Sequence, residues 1–418
     1  MAFSENGMAP DVAYSMIRNH LSADAIPSRN LGSFVTTQLE EKAEKLMIES
    51  LSKNIINHES YPATQDIQNR CVEIIAGLFN APIQGSSNSA VGTSTVGSSE
   101  AILLATLAMK KHWVQKHKRE GKDYSNPNMI MSSAVQVCWK KAALYFDIEE
   151  RYAYCSEDRY IIDPVEAVSL VDENTIGICA ILGTTYTGEY EDVEAINNLL
   201  VEQNIDVPIH VDAASGGFVT PFLSPDLRWD FRLERVASIN VSGHKYGLVY
   251  AGTGWAIWRS AEYLPQELIF SHHYLGTEQN SLTLNFSRGS SHIISQYYRL
   301  ICLGRNGYRQ VMLNLASTAG YLASQLEVMG CFVVMSKRIG NGLPLVTFRL
   351  DPNQSFTFDE FKFVQELQRQ GGWVVPAYTM APRGENVKII RVVVREDLSR
   401  PLCDILVSDM RLVLQRFS

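Results

Sequence analysis

The stretch VPIHVDAASGGF, residues 207–218, carries an apolar run that stops at an aspartate and continues into small residues. A short apolar run bounded by turn-forming residues predicts a buried strand, and Asp212 lies where that strand ends. A carboxylate at the end of a buried strand is costly unless a cation or a hydrogen-bond donor meets it. Asp212 is therefore a candidate ligand-binding residue, although capping a turn or a helix would also explain it.

Similar apolar runs flank this strand and alternate with helical stretches such as SSEAILLATLAMKKHWVQKHKRE; they are NMIMSSA, TIGICAILG and VASINVSG. Such alternation predicts an α/β fold with a mostly parallel sheet covered by helices on both faces. After about residue 315, a long helical stretch followed by LPLVTFRL and KIIRVVVRED predicts a smaller α+β domain. We therefore expect an N-terminal arm (residues 1–28), a large domain (residues 29–315) and a small C-terminal domain (residues 316–418).

A lysine follows the next predicted strand. In VASINVSGHKYGL, residues 236–248, Lys245 comes directly after His244. In open α/β sheets, ligands bind beyond the carboxyl ends of the strands, where both Asp212 and Lys245 are expected. Taken alone, Lys245 could equally be a surface residue or a phosphate-binding residue.

A third element is AVGTSTVGSSEAILLATLAMK, residues 90–110, in which glycines and hydroxyl residues run directly into a helix. Backbone N–H groups and the hydroxyls of Ser98 and Ser99 at a helix start suit a phosphate group. The same letters also describe an ordinary capped helix, because SSEA is good capping chemistry. The segment matches neither G-x-G-x-x-G nor a P-loop, which disfavours nucleotide binding.

Together, these three elements supply what pyridoxal phosphate requires of a protein. The cofactor needs a lysine for a Schiff base, a carboxylate that keeps its pyridine nitrogen protonated, and a phosphate site. The residue pattern thus predicts a pyridoxal-phosphate enzyme, but it leaves open which bond at the α-carbon breaks.

Composition excludes several other classes of protein. The net charge is −8 and no basic tract occurs, which argues against nucleic-acid binding. The apolar runs are too short for a membrane span, and the N-terminus does not resemble a signal peptide. The seven cysteines include no C-x-x-C pair, which argues against a zinc site or a disulfide framework. We expect a cytoplasmic protein with no metal and no membrane partner.

Six motifs, in chain order, closely resemble those of the glutamate decarboxylases, which belong to the group II pyridoxal-phosphate decarboxylase family. They are VGTSTVGSSEA, VQVCWKKAALYF, GTTYTGEYEDV, HVDAASGGFVTPF, SINVSGHKYGLVYAGTGWAIWR and LNFSR. The resemblance covers about residues 30–397, nearly the whole chain. It implies the fold-type I architecture of the aspartate aminotransferase type, with a mostly parallel seven-stranded sheet in the large domain. It also implies a homodimer at least, with the active site at the subunit interface.

The resemblance assigns five residues to the cofactor ring. Lys245 forms the Schiff base, Asp212 pairs with the pyridine nitrogen, and Ala214 packs on the ring. Gln136 stacks on the opposite face, where many relatives outside the glutamate enzymes use histidine. Thr185 reaches the phenolic oxygen.

The resemblance also assigns the cofactor phosphate to His244, Ser98 and Ser99, and to Ser287 from the neighbouring subunit. The segment FSHHYLGTEQNSLTL, which contains Tyr274, corresponds to a mobile loop of the family. The resemblance implies that Tyr274 lies where the reacting carbon regains a proton after carbon dioxide leaves. Tyr274 is therefore an expected catalytic residue beside the lysine and the aspartate.

The substrate pocket departs from the family pattern. Ser33 and Phe34 stand where the family has a Thr-Phe pair, and Arg391 matches an arginine that recognises a substrate carboxylate. Asn54 matches an asparagine from the partner subunit, whereas Asn57 replaces an aspartate. Because an amide donates at any pH but a carboxyl group only when protonated, we expect a pocket less tied to acid, or one retuned to another substrate. Without such roles, Asn57 would cap a turn and Arg391 would be a surface residue.

The sequence therefore predicts pyridoxal-phosphate-dependent decarboxylation of L-glutamate to 4-aminobutanoate and carbon dioxide. Two alternatives stay open: the same chemistry on aspartate, cysteine sulfinate or a glutamate analogue, and a cofactor-binding paralogue without activity. The last residues, MRLVLQRFS, resemble neither the plugging tail of some bacterial members nor the calmodulin-binding tail of plant members, so neither device is expected.

Overall fold

The structure, a computed structural model, describes residues 3–82, 90–274, 277–338 and 340–417, and for residues 271–274 and 277–280 it describes the backbone alone. The strands are β1 Val91–Thr95, β2 Asn128–Ser132, β3 Glu149–Ala153, β4 Thr175–Ile181, β5 Ile209–Asp212, β6 Val236–Ser242, β7 Gly254–Trp258, β8 Phe270–Tyr274, β9 Thr277–Ser281, β10 Phe332–Val334, β11 Leu345–Leu350, β12 Ala377–Thr379 and β13 Lys388–Val393. The helices are α1 Pro10–Leu21, α2 Glu41–Glu49, α3 Pro62–Leu78, α4 Ser98–Glu120, α5 Val137–Tyr145, α6 Pro164–Ser169, α7 Val193–Glu202, α8 Thr220–Leu223, α9 Ser291–Val328, α10 Glu360–Gly371 and α11 Arg400–Phe417.

The main sheet has seven strands in the order β1-β7-β6-β5-β4-β2-β3. Strand β7 runs antiparallel to both of its neighbours, and the other pairs are parallel. Strands β2, β4, β5, β6 and β7 are buried along their whole length, as expected for a sheet with helices on both faces. The predicted α/β class with a mostly parallel seven-stranded sheet is confirmed.

The C-terminal part carries an antiparallel sheet in the order β10-β11-β13-β12, with α10 and α11 packed on each other. The long helix α9 leads into this sheet and has a kink at Gly304, whose φ of 56° places it in the left-handed region. The expected boundary near residue 315 falls within α9, and the division into three parts stays a prediction.

The N-terminal helices follow local sequence signals. The stretch 35–55 reads as one amphipathic helix, but α2 is shorter and ends where the Ser50 hydroxyl donates to the Leu46 carbonyl at 2.6 Å. Helix α3 starts at Pro62, whose fixed φ suits a first helical position, and Asn80 with φ 55° follows its end. None of the helices in the described part of the chain has the length and apolar composition of a membrane span.

Candidate active site

Strands β5 and β6 bring the two central candidate residues to one edge of the sheet. They are parallel neighbours, Asp212 ends β5, and Lys245 follows β6 by three residues. Both side chains line one small cavity at the carboxyl ends of the strands, where ligands bind in such sheets. The residues around this cavity are Ala134, Gln136, Ile181, Gly183, Thr185, Asp212, Ala214, Ser215 and Lys245.

Asp212 is buried, with 5% of its surface exposed, and its carboxylate accepts three hydrogen bonds. The indole N–H of Trp139 donates to Oδ2 at 2.9 Å, and the Asn240 amide donates to Oδ1 at 3.0 Å. The backbone N–H of Ala214 donates to Oδ1 at 3.1 Å. Three N–H donors suit an ionised carboxylate, which has about four acceptor positions and so keeps one for a ligand.

Lys245 is half-buried, and its ammonium donates to the Ser215 hydroxyl at 3.1 Å. Its Nζ also lies 5.3 Å from the centre of the Phe34 ring. Burial lowers the pKa of Lys245, the positive charge of Arg391 lowers it further, and the charge of Asp212 opposes both. A lysine with a lowered pKa is a better nucleophile near neutral pH, as Schiff-base chemistry requires.

The start of helix α4 and the residue before Lys245 form the expected phosphate region. Ser98 is buried and its Oγ lies 2.6 Å from Oγ of Ser242, whereas Ser99 is exposed. Glu100, inside the first turn, accepts the backbone N–H of Val96 at 2.8 Å and so closes the loop onto the helix. The free N–H groups of this helix start, together with the hydroxyls, suit an anion.

His244 stands beside this helix start. A side chain at Gly97 would meet the imidazole, because an added Cβ would come within 3.1 Å of Cε1. Nδ1 of His244 is buried and has no hydrogen-bond partner among the described residues. Burial, and then the nearby Lys245 charge, lower the pKa of His244 to about 4. A buried ring nitrogen without a partner at a helix start points to a ligand that provides one.

Gln136 and Thr185 meet on the open side of the cavity. Gln136 precedes helix α5 and is exposed, and its amide donates to the Thr185 hydroxyl at 2.5 Å. Two predicted ring-contact residues, from the segments that follow strands β2 and β4, are thus adjacent. Ala214, the third, lies beside Asp212 and lines the same cavity.

Phe34 and Arg391 belong to the same region. Phe34 is buried, and the Arg391 guanidinium lies 4.8 Å from its ring centre. Arg391 donates to the carbonyls of Thr185 and Gly32, and its Nε is buried without a partner among the described residues. Only 9% of Arg391 is exposed, so the alternative of a surface arginine is wrong, because strand β13 points the side chain inward.

The segment around Ser33 is hydrogen-bonded to the backbone of His244 and Lys245. Thr36 donates through its backbone to the His244 carbonyl and through its hydroxyl to the Lys245 carbonyl, both at 2.9 Å. The buried Arg395 donates to the Ser33 carbonyl at 2.8 Å. Oγ of Ser33 accepts the backbone N–H of Val35 at 3.1 Å, and among the described residues its hydroxyl proton has no acceptor.

Asn54, Ser287 and Asn57 form a separate group. The Asn54 amide donates to the Ser287 hydroxyl at 3.1 Å, and Ser287 is exposed. Asn57 shares a turn with Asn54: the backbone N–H of Asn57 donates to the Asn54 carbonyl at 3.1 Å. Oδ1 of Asn57 is buried and has no partner in the described part of the chain. The structure therefore brings these residues together, yet outside the cavity that Lys245 lines.

Tyr274 lies at the end of strand β8, opposite Thr277 of β9. Its side chain lies outside the described part of the structure, so its expected catalytic role stays a prediction.

Sequence reasoning missed several residues that hold the site together, namely Trp139, Ser215, Asn240 and Ser242. Asn240 and Ser242 offered a weak signal, because both are polar and alternate with apolar residues in a strand expected to be buried. Nothing local marked Trp139, whose indole reaches Asp212 from helix α5 across 73 positions of sequence.

The fold and this geometry define a class of protein, the fold-type I pyridoxal-phosphate-dependent enzymes. Residues 27–351 match the pyridoxal-dependent decarboxylase conserved domain. The chain is 51% identical over 414 residues to a glutamate decarboxylase of Petunia hybrida, covering 98% of this chain and 82% of that one. It is 42% identical over 417 residues to glutamate decarboxylase beta of Listeria innocua, covering 98% and 89%.

The solved structure of Lactobacillus brevis glutamate decarboxylase superposes with a TM-score of 0.95 at 39% identity, covering 100% of this chain and 95% of that one. The protein belongs to the group II pyridoxal-phosphate-dependent decarboxylases and, within them, to the glutamate decarboxylase family. The residues present fit this family's cofactor, since Asp212 keeps an acceptor position, Nδ1 of His244 has no partner among the described residues, and Lys245 has a lowered pKa.

Proposed function

We propose that this protein removes the α-carboxylate of L-glutamate and releases 4-aminobutanoate and carbon dioxide. The observation that carries the proposal is the pairing of Asp212 and Lys245 at one cavity, in a chain half identical to glutamate decarboxylases. When bound, pyridoxal phosphate supplies the electron sink that accepts the electron pair left by the departing carboxylate.

The residues around the cavity prepare that chemistry. Lys245 provides the amine that attaches the cofactor, and the Ser215 hydroxyl fixes its direction at 3.1 Å. Asp212, held by three N–H donors, would offer its remaining acceptor position to the ring nitrogen and would favour the protonated form of that nitrogen. Gln136 and Ala214 would contact the two faces of the ring, and Thr185 would reach its phenolic oxygen.

The start of helix α4 would hold the cofactor phosphate. Ser98, Ser99 and the first backbone N–H groups of the helix provide donors. His244 provides a further ring nitrogen; a phosphate beside it favours the protonated imidazole and so opposes the lowered pKa of the cofactor-free protein.

Substrate selection lies on the side of Phe34. Arg391 carries a charge in a buried position, and its Nε has no partner in the described part of the chain, which suits a substrate carboxylate. The free hydroxyl proton of Ser33 supplies a neutral donor nearby. These groups favour an acidic amino acid over an apolar one.

The proposed catalytic unit is a homodimer in which Asn54, Asn57 and Ser287 complete the neighbouring subunit's site. Their position outside the Lys245 cavity supports this arrangement. The exposed apolar side chains of Val137 and Tyr145, each 61% exposed on helix α5, also suit burial by a second copy. Tyr274 is proposed to return the proton to the α-carbon. Free thiols at all seven cysteines fit a reducing compartment, and we propose a cytoplasmic location.

A panel of amino acids tests the proposal. Purified protein with pyridoxal phosphate is assayed for carbon dioxide release from L-glutamate, L-aspartate and L-cysteine sulfinate, with Lys245→Ala as the inactive control. We expect the highest kcat/KM for L-glutamate. A higher value for another member would reassign the substrate, and a cofactor-loaded protein that releases no carbon dioxide from any of them would refute the decarboxylase activity.

A further inference from the structure

A row of buried polar side chains extends behind Asp212. His210 lies two residues earlier on the same face of β5, and in the register of β5 and β6, Ser238 pairs with His210 and Asn240 with Asp212. His210 and Asn240 are wholly buried, and 2% of Ser238 is exposed. Polar side chains in the centre of a sheet are costly unless all of their hydrogen bonds are satisfied.

The charge of Asp212 fixes the direction of every hydrogen bond in this row. An ionised carboxylate only accepts, so the Asn240 amide nitrogen faces it at 3.0 Å. Oδ1 of Asn240 then faces Nε2 of His210 at 2.7 Å, which requires the proton on Nε2. In a neutral imidazole with its proton on Nε2, Nδ1 of His210 is the acceptor, and the Ser238 hydroxyl donates to it at 2.7 Å.

The surroundings favour this neutral, single tautomer. Burial lowers the pKa of His210, although the hydrogen bond to Asn240 and the nearby charge of Asp212 act in the opposite sense. Trp139, which donates to the other oxygen of Asp212, also packs against the His210 ring, with centroids 5.3 Å apart and an interplanar angle of 61°. The Trp139 indole therefore contacts both His210 and Asp212.

We propose that Asn240 and His210 are positioning residues, which hold the Asp212 carboxylate in one orientation so that its remaining acceptor position faces the cofactor's ring nitrogen. The inference rests on the proposed function only in taking Asp212 as the partner of that nitrogen. Both residues act through Asp212.

The test compares two ligands of the cofactor site. Dissociation constants are measured for pyridoxal phosphate and for an analogue whose ring nitrogen is replaced by C–H, in wild type and in Asn240→Leu. Wild type is expected to bind pyridoxal phosphate more tightly than the analogue. In Asn240→Leu the ratio of the two dissociation constants is expected to fall about tenfold, the effect of one hydrogen bond to a charged group. Ile239→Val, on the opposite face of β6, is expected to keep it.

A merely structural role would weaken both ligands alike, so an unchanged preference in Asn240→Leu would overturn the inference. A wild type without any preference would overturn it too. If Asn240→Leu does not fold, nitrogen NMR of the histidine-labelled holoenzyme decides: the neutral Nε2–H tautomer of His210 is expected, and an Nδ1–H tautomer or an imidazolium at neutral pH would refute the proposed row.

The same wild-type preparation separates this inference from the proposed function. Carbon dioxide release from L-glutamate is measured beside the binding constants. A preparation that prefers pyridoxal phosphate but releases no carbon dioxide would contradict the proposed function while supporting the positioning of Asp212.

Discussion

The guanidinium of Arg391 donates to the backbone carbonyl of Gly32 across 2.7 Å, which joins strand β13 to the segment that carries Ser33 and Phe34. The same guanidinium donates to the carbonyl of Thr185 beyond the end of strand β4. One side chain from the C-terminal sheet therefore connects the proposed substrate pocket with the cofactor cavity. Because the planar fork serves both carbonyls, its geometry matters as much as its charge.

Arg391→Lys tests this geometry. A lysine keeps the charge but cannot donate to two carbonyls and a substrate in the same planar arrangement. We expect the KM for L-glutamate to rise about tenfold or more, equivalent to one lost charged hydrogen bond, with a smaller change in kcat. Arg369→Lys, an exposed exchange on helix α10, is the matched control. If Arg391→Lys keeps the wild-type KM, the planar guanidinium geometry of Arg391 is not needed for substrate binding.

The low pKa of His244 predicts how stability depends on pH. In the cofactor-free protein this pKa is about 4, because burial and the Lys245 charge disfavour the imidazolium, against an ordinary value near 6.5 when unfolded. Between these values the unfolded chain binds more protons, so stability falls as the pH decreases from 6.5 to 4. We expect the free energy of unfolding of His244→Gln to decrease by roughly 2 kcal/mol less than that of wild type over this pH range.

Urea denaturation of the cofactor-free protein at several pH values measures the effect. His20→Gln replaces an exposed histidine of helix α1 and should follow the wild-type curve. If His244→Gln follows that curve as well, His244 does not titrate as described.

Local pattern was enough to predict that the two central candidate residues lie close together. The apolar runs of β5 and β6 are long enough to identify as buried strands, and the rule for the carboxyl ends of such strands brings Asp212 and Lys245 together. The antiparallel direction of β7 and the order of the strands depend on contacts between distant segments, which periodicity does not encode. Glycine and hydroxyl residues likewise mark the start of helix α4 in the sequence itself.

Side chains that act across elements could not be foreseen. An arginine in a strand-like run can face either solvent or the interior, and only the carbonyls of Gly32 and Thr185 explain the burial of Arg391. Trp139 and Asn240 become important only because the fold places both beside Asp212.

Asn57→Asp tests the departure in the substrate pocket. Oδ1 of Asn57 is buried without a partner among the described residues, and its amide can donate at any pH. We expect the wild-type KM for L-glutamate to change little between pH 5 and 7, roughly the range above an ordinary carboxyl pKa. In Asn57→Asp it should rise as the new carboxyl group loses its proton. A steep rise in wild type, unchanged by the substitution, would contradict the interpretation.

Mixing two inactive variants tests the shared site. Lys245→Ala lacks the cofactor lysine, and Asn54→Ala lacks a residue proposed to serve the neighbouring subunit. Random exchange of subunits gives heterodimers with one intact site, so we expect about a quarter of wild-type activity to return. Lys245→Ala mixed with Asp212→Ala loses both residues from the same cavity and should recover much less, at most the small activity that Asp212→Ala itself retains. Recovery in neither mixture would place each site within one chain.

Release of carbon from labelled glutamate tests the central claim most directly. The holoenzyme is given L-glutamate labelled either at carbon 1, the α-carboxylate, or at carbon 5, the distal carboxylate, and released carbon dioxide is counted. The account predicts label in carbon dioxide from carbon 1 only, carbon 5 retained in 4-aminobutanoate, and no release by Lys245→Ala. Label from carbon 5, or equal release by Lys245→Ala, would contradict it.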